Sequence, residues 1–179
     1  MRNSKVKGFT LIELIVVIAI IGVLAAILVP SMLGYVRNAR ISSANANAKQ
    51  VHTAVSSALT QLGISNYDFG TGAKDPSVGV KLSADKKSIV CDFQDVKNKP
   101  SDDGMDLISY LGENFSGEGK AYFNKATYSV YAAAWAANST DLGKAGSSKD
   151  DYVNKTEQAQ KSDAKAGNIY GIFPAPKLS

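Results

Sequence analysis

The sequence is poor in the residues that carry most protein chemistry. It has one cysteine, one histidine and one tryptophan in 179 residues. A lone Cys91 excludes an intrachain disulfide framework and reads as a small buried apolar residue of a strand. A lone His52 leaves a metal site without the further His, Cys or acidic partners it needs, so it reads as a packing or surface residue of a helix. There is no P-loop, no dinucleotide fingerprint and no visible nucleophile–base pair; the glycines are scattered in loops. Asp102, Asp103 and Asp106 cluster, as do Asp150 and Asp151, but neither group has the spacing of a calcium loop, and both read as turns or helix caps. No enzyme activity, metal or cofactor is expected from these residues.

Charge is also missing where it matters most. Leu14 to Val36 contains no charged residue, and Leu14 to Val29 contains no polar side chain at all. Disorder is excluded by that run and by a hydrophobic content of 45%. The formal charge of +4 is concentrated at one end. Residues 1–8 carry Arg2, Lys5 and Lys7 and no acid, and residues 9–62 carry Arg37, Arg40 and Lys49 against Glu13. The remaining residues hold 14 basic and 15 acidic side chains. A near-neutral globular part argues against a nucleic-acid surface, whose affinity comes from clustered Lys and Arg.

What is there begins with a short basic segment followed at once by the apolar run. Three readings compete. A secretory signal peptide has the right charge order, but the run is longer than a usual apolar core, Glu13 sits near its start, and no small-x-small site follows. A plain membrane anchor explains the length, since Phe9 to Leu28 matches the roughly 20 residues that span a bilayer. It leaves Glu13 unexplained, at a cost of about 2.5–3.5 kcal/mol for an acid at the centre of a membrane helix. A leader cut between Gly8 and Phe9 would give Glu13 a partner. The new α-amine, with a pKa near 7.7–8.0, lies one helical turn from the carboxylate, and paired charges are far less costly in hydrocarbon than isolated ones. The pair can form within a chain or between neighbours.

The run Lys7-Gly8-Phe9-Thr10-Leu11-Ile12-Glu13-Leu14 resembles the processing site of a type IV prepilin: a basic leader ending in Gly, then Phe, then an acid five positions into the mature chain, then an apolar run. The resemblance covers residues 1 to about 60. It implies a prepilin peptidase that cuts after Gly8 and N-methylates Phe9. It also implies that Glu13 contacts the N-terminus of a neighbouring subunit, and that Gly22 and Pro30 lie where the helix loosens or bends. Pro30 by its own chemistry should kink a helix rather than end it. The implied partners are other copies in a helical filament, the peptidase, the pilus assembly machinery, and the membrane before assembly.

Helical signals continue beyond the apolar run. Val36, Ala39, Ala44, Ala48, Val51, Val55, Ala58, Leu59 and Leu62 recur every three or four residues, an amphipathic stripe. Gly63 is the expected stop. The spacing predicts one helix from Phe9 to about Leu62. Beyond it, Gly63 to Pro76 reads as a loop, Val78–Leu82 and Ser88–Phe93 as a hairpin, and Asp102–Asn114 as a short helix capped by Ser101 or Asp102, with Met105, Ile108 and Leu111 on one side. Lys120–Phe123, Thr127–Ala137 and Asn168–Phe173 read as strands, with a helix over Tyr131–Ala137 as an alternative because Ala is a poor strand former. Asn138 to Ala166 reads as a long polar surface loop. Trp135 and the tyrosines fit a covered sheet better than an aromatic platform for a glycan or surface.

The expected architecture is α+β. Residues 1–8 form a leader, 9–35 the apolar and protruding half of a long helix, 36–62 its amphipathic half, and 63–179 an antiparallel sheet head packed on that half. Type IV pilins share this organisation. Many close a C-terminal loop with a cysteine pair, which a single Cys91 cannot do; disulfide-free heads occur in pilins of Gram-positive bacteria, and such a source fits. The expected role is a structural subunit of a pilus serving adhesion or motility, membrane-inserted before assembly and extracellular after it. The alternatives are a major pseudopilin of a type II secretion or DNA-uptake system, and an uncut anchored binding domain.

Overall fold

The computed structural model describes residues 8–70, 76–82, 89–94, 96–100, 107–111 and 115–174. Helix α1 runs over Leu11–Ile64, two residues later at each end than the periodicity predicts. Gly63 is not the stop; it lies inside the last turn, where the ring of Tyr128 packs against it. The stop is Asn66, which takes a left-handed conformation (φ 51°). Its amide donates to the Gly63 carbonyl and the Tyr67 amide to the Leu62 carbonyl, each at 3.0 Å. This is a Schellman motif, which satisfies carbonyls the helix would otherwise leave open.

The chain divides into two compact units at Val36/Arg37. In the first, every described residue from Gly8 to Val36 is exposed, including the whole apolar run. In the second, the buried positions of α1 are Ile41, Ala44, Ala48, Val51, Ala54, Val55, Ala58, Leu59 and Leu62. The stripe therefore starts at Ile41; Val36 and Ala39, expected within it, are exposed.

That stripe packs on a five-stranded antiparallel sheet of order β2-β1-β3-β4-β5. The strands are β1 (Ser77–Leu82), β2 (Ile89–Gln94), β3 (Glu118–Phe123), β4 (Val130–Ala136) and β5 (Tyr170–Phe173). The expected hairpin is the β1–β2 pair, with Val80 opposite Cys91; its connecting residues and Ser88 lie outside the described residues. Helix α2 (Leu107–Leu111) is the described part of the helix expected over 102–114; its candidate caps, Met105, the side chain of Ile108 and the Asp102/Asp103/Asp106 cluster lie outside. Pro176 does too.

The sheet face toward α1 carries Val78, Val80, Phe93, Ala121, Phe123 and Ala133, one core cluster with the helix. Two glycines set how closely helix and sheet approach. A Cβ on Gly119 would reach within 2.8 Å of Val51, and one on Gly171 would overlap the Ala44 backbone. β4 is a strand, not the helix that its alanines allow. A register shift at Tyr122/Phe123 pairs Phe123 with Val130 and Tyr122 with Ala132. The bulge leaves Tyr131 exposed and turns Val130 to the side of Ala133 and Trp135.

The opposite sheet face corrects the loop expected at 138–166. That segment forms α3 (Ser139–Ala145), α4 (Lys149–Asn154) and α5 (Glu157–Lys165). Ala145 and Tyr152 pack with Tyr122, Ala132, Ala134, Ala136, Tyr170 and Ile172 into a second core. β4 is rich in alanine because both of its faces are covered. Each short helix starts at a side-chain cap: Asn138 accepts from the Asp141 amide, Thr156 from the Ala159 amide, and Ser148 shares a reciprocal capping box with Asp151. The Asp151 carboxylate accepts the amides of Ser147 and Ser148 at 2.8 and 2.9 Å, and those hydrogen bonds hold its pKa below the usual carboxylate value.

No disulfide closes this C-terminal region, and a polar node does the joining. Asn45 Oδ1 on α1 accepts the Ile172 amide and the Gln160 side-chain amide, both at 2.9 Å. Gln160 Nε2 also donates to the Tyr170 carbonyl at 2.8 Å. The Tyr170 hydroxyl donates to Asp163, which pairs with Lys155 at 3.4 Å. Burial, with Asp163 alongside, pushes the Tyr170 phenol pKa up.

Candidate assembly site

The candidate processing and assembly residues sit at the start of α1. Gly8 and Phe9 precede the first helical turn, and Phe9 is 83% exposed, so the bond between them is open to an enzyme. The turn itself is organised by Thr10. The Glu13 carboxylate accepts the Thr10 amide at 2.8 Å and the Thr10 hydroxyl at 2.7 Å. The Thr10 hydroxyl in turn accepts the Glu13 amide at 3.3 Å. This Thr-x-x-Glu capping box satisfies helix N-terminal donors that an apolar medium would leave unpaired. The sequence reading missed it, although its signal, Thr10 three residues before Glu13, is plain in the chain. The structure thus brings Glu13 to Thr10 and not to Phe9, whose nitrogen is a peptide amide in the uncut chain. A carboxylate has about four acceptor positions, so the box leaves Glu13 capacity for an added ammonium group.

Gly22 and Pro30 both lie within continuous α1. Pro30 has no amide hydrogen, so the Ala26 carbonyl lacks its helical donor. Next to it, Ser31 Oγ donates back to the Leu28 carbonyl at 2.8 Å, a bond that weakens and bends helices. A Cβ at Gly22 would meet nothing within 4 Å. The exposed span from Leu11 onward belongs to a helix long and apolar enough to cross a membrane.

The match to known proteins falls on this region. Residues 3–29 match the family model described as "Prokaryotic N-terminal methylation motif". The chain is 45% identical over 57 residues to the type IV major fimbrial protein FimA of Dichelobacter nodosus, covering 32% of this chain and 36% of that protein. Over its N-terminal segment the chain is similar to type IV pilins. Similarity extends furthest to the type IV major alpha-pilin of Moraxella bovis among three relatives compared, 32% identity over 113 residues, or 63% of this chain and 64% of that one. To the type IV major pilin protein PilA of Myxococcus xanthus it is 42% over 59 residues, 33% and 27% of the two chains. The chain therefore spans about a third of the length of the first curated relatives it matches. No solved structure matches it. These pilin relatives lend no support to a Gram-positive source.

Away from that N-terminal segment, the described residues contain no group of three or more His, Cys, Asp or Glu placed to hold a metal ion. His52 is half-buried, edge-on to Phe173 at 4.8 Å between ring centroids. Burial lowers its pKa, opposed in part by a hydrogen bond to the Val130 backbone. Cys91 and Trp135 are partly buried against the core beneath the sheet, where the packing readings placed them.

Proposed function

We infer that this chain is a structural subunit of a type IV pilus. One observation carries the reading: the methylation motif stands at the tip of a helix whose apolar first unit has no covering element of its own. Such a surface calls for lipid or for other helices. Before assembly the helix crosses the cytoplasmic membrane with the head outside. A prepilin peptidase cuts after Gly8 and methylates Phe9, and assembly proteins stack the helices into an extracellular filament serving adhesion or motility. In that filament Glu13 accepts the N-terminal amine of a neighbour, and Gly22 and Pro30 mark where α1 loosens. The subunit performs no catalysis.

The deciding experiment is intact mass and N-terminal sequence of the protein sheared from cells. A chain starting at methylated Phe9 in the sheared fraction supports the reading. A chain still starting at Met1 and confined to membranes would replace it with an anchored binding domain. Substituting Gly8 with a large residue is expected to leave the uncut precursor in the membrane.

A further inference from the structure

From Leu14 to Tyr67 the chain has no acidic residue, and its bases there are Arg37, Arg40 and Lys49. Lys49 lies 5.9 Å over the ring of Phe173. Arg37 and Arg40 have neither an ion pair nor a side-chain hydrogen bond among the described residues. Arg40 is exposed and Arg37 partly so.

Their place on the helix is specific. Arg37 stands four residues before the buried Ile41, and Arg40 four before the buried Ala44. Both therefore continue the buried stripe backwards, on the side of α1 that the sheet covers further along. The strand over Ala44 is β5, through Gly171, and β3 is reached only at Val51. The acids beside β5 are committed elsewhere. Asp163 pairs with Lys155 at 3.4 Å and accepts the Tyr170 hydroxyl, and Asp141 accepts the Ile169 amide at 3.3 Å. Residues 174–179 carry no acidic side chain.

Arg37 is also the residue that follows the exposed apolar unit. The stretch of α1 from Leu11 to Val36 is about 39 Å long at ~1.5 Å per residue. A bilayer with its headgroup layers is about 40–45 Å thick. A helix whose Glu13 end rests at one interface delivers the next residues, Arg37 to Arg40, to the opposite headgroup layer. We propose that Arg37 and Arg40 bind the phosphate of an anionic phospholipid in the outer leaflet. This rests on the membrane-inserted state inferred above. Each guanidinium can donate two parallel N–H bonds to phosphate oxygens, and two guanidinium groups three residues apart share one face of the helix. The lipid supplies the counter-charge that the described residues withhold.

The test places the full chain in phosphatidylcholine vesicles with traces of spin-labelled phosphatidylglycerol or phosphatidylcholine, and reads the immobilised fraction of each by electron spin resonance. The leader bases would attract anionic lipid too, so all chains carry Arg2→Gln, Lys5→Gln and Lys7→Gln. Phosphatidylglycerol is expected to be preferred about three- to tenfold at low salt, and the preference should shrink as salt is raised. Arg37→Gln with Arg40→Gln should bring it within about twofold of parity. Arg40→Gln alone, at an exposed position, should remove part of it with unchanged circular dichroism. Vesicle flotation separates the two readings. A chain that does not float overturns membrane insertion and this proposal together. A chain that floats without preferring phosphatidylglycerol overturns the lipid site alone. So does a preference that survives in the double variant.

Discussion

Glu13 has two tasks that pull on one carboxylate. It closes the first turn of α1 through Thr10, and in the proposed filament it receives an amine. The two are compatible because the box uses only part of its acceptor capacity. Replacing Glu13 with Ala is expected to leave cleavage after Gly8 intact and to reduce sheared polymer sharply; normal filaments from that strain would remove the docking role. Thr10→Ala separates the tasks. It keeps the carboxylate and removes the cap, at a cost of about 0.5–2 kcal/mol to the local helix. Amide hydrogen exchange in detergent should therefore quicken over residues 11–13 and stay unchanged in the head. If those amides exchange as in the parent, the box does not hold the turn in solution.

At the scale of elements, helix–sheet spacing is the controlling quantity, and β5 is where it is tightest. Gly171 faces the Ala44 backbone of α1, whereas the nearest atom to a Cβ on Gly79 in β1 would be 3.7 Å away. Gly171→Ala must push β5 off the helix and strain the node at Asn45, an overpacking cost of about 1–3 kcal/mol. Gly79→Ala should be neutral or stabilising by up to about 1 kcal/mol, since alanine loses less chain entropy than glycine in a strand. Paired urea unfolding curves test this; equal effects of the two substitutions would contradict the packing. The strands themselves were legible in the sequence, because each is a short apolar run bounded by polar and turn-forming residues, and the run survives in β1, β2, β3 and β5 at six or fewer residues each. α3, α4 and α5 were not, because they bury little of their own: α5 contributes only Gln160 and Ala164 to the interior. Hydrophobic periodicity has nothing to detect there. The available signals were the capping residues Asn138, Ser148 and Thr156, and they are short enough to pass for turns. The Asn45–Gln160 node, joining residues 115 positions apart, has no local signature at all.

Across the whole molecule, pH and truncation probe different parts. His52 on α1 packs against Phe173 of β5, with a folded pKa below its ordinary 6.5 because burial disfavours the charged form. Below about pH 6.5 the unfolded chain takes up a proton that the folded chain refuses, so stability falls with acid and levels off once the folded pKa is passed. His52→Gln is expected to flatten that dependence between about pH 7 and pH 5, read from urea midpoints; an unchanged slope would place the titration elsewhere. The processing motif was legible from residues 1–14 because its chemistry is local, and so was the apolar run. The division of labour between the two units follows from where burial begins. Among the described residues, every buried apolar one lies at Ile41 or later, and the large exposed apolar side chains crowd between Phe9 and Val36. Removing residues 1–36 therefore removes none of the buried core residues and takes away most of the large exposed apolar side chains. A chain of residues 37–179 is expected to be monomeric without detergent by ultracentrifugation, with one cooperative urea transition at the midpoint of the full chain's head. A truncated chain that fails to fold would mean the apolar half of α1 supports the head as well as anchoring it, and polymerisation and folding would then have to be treated as one coupled step.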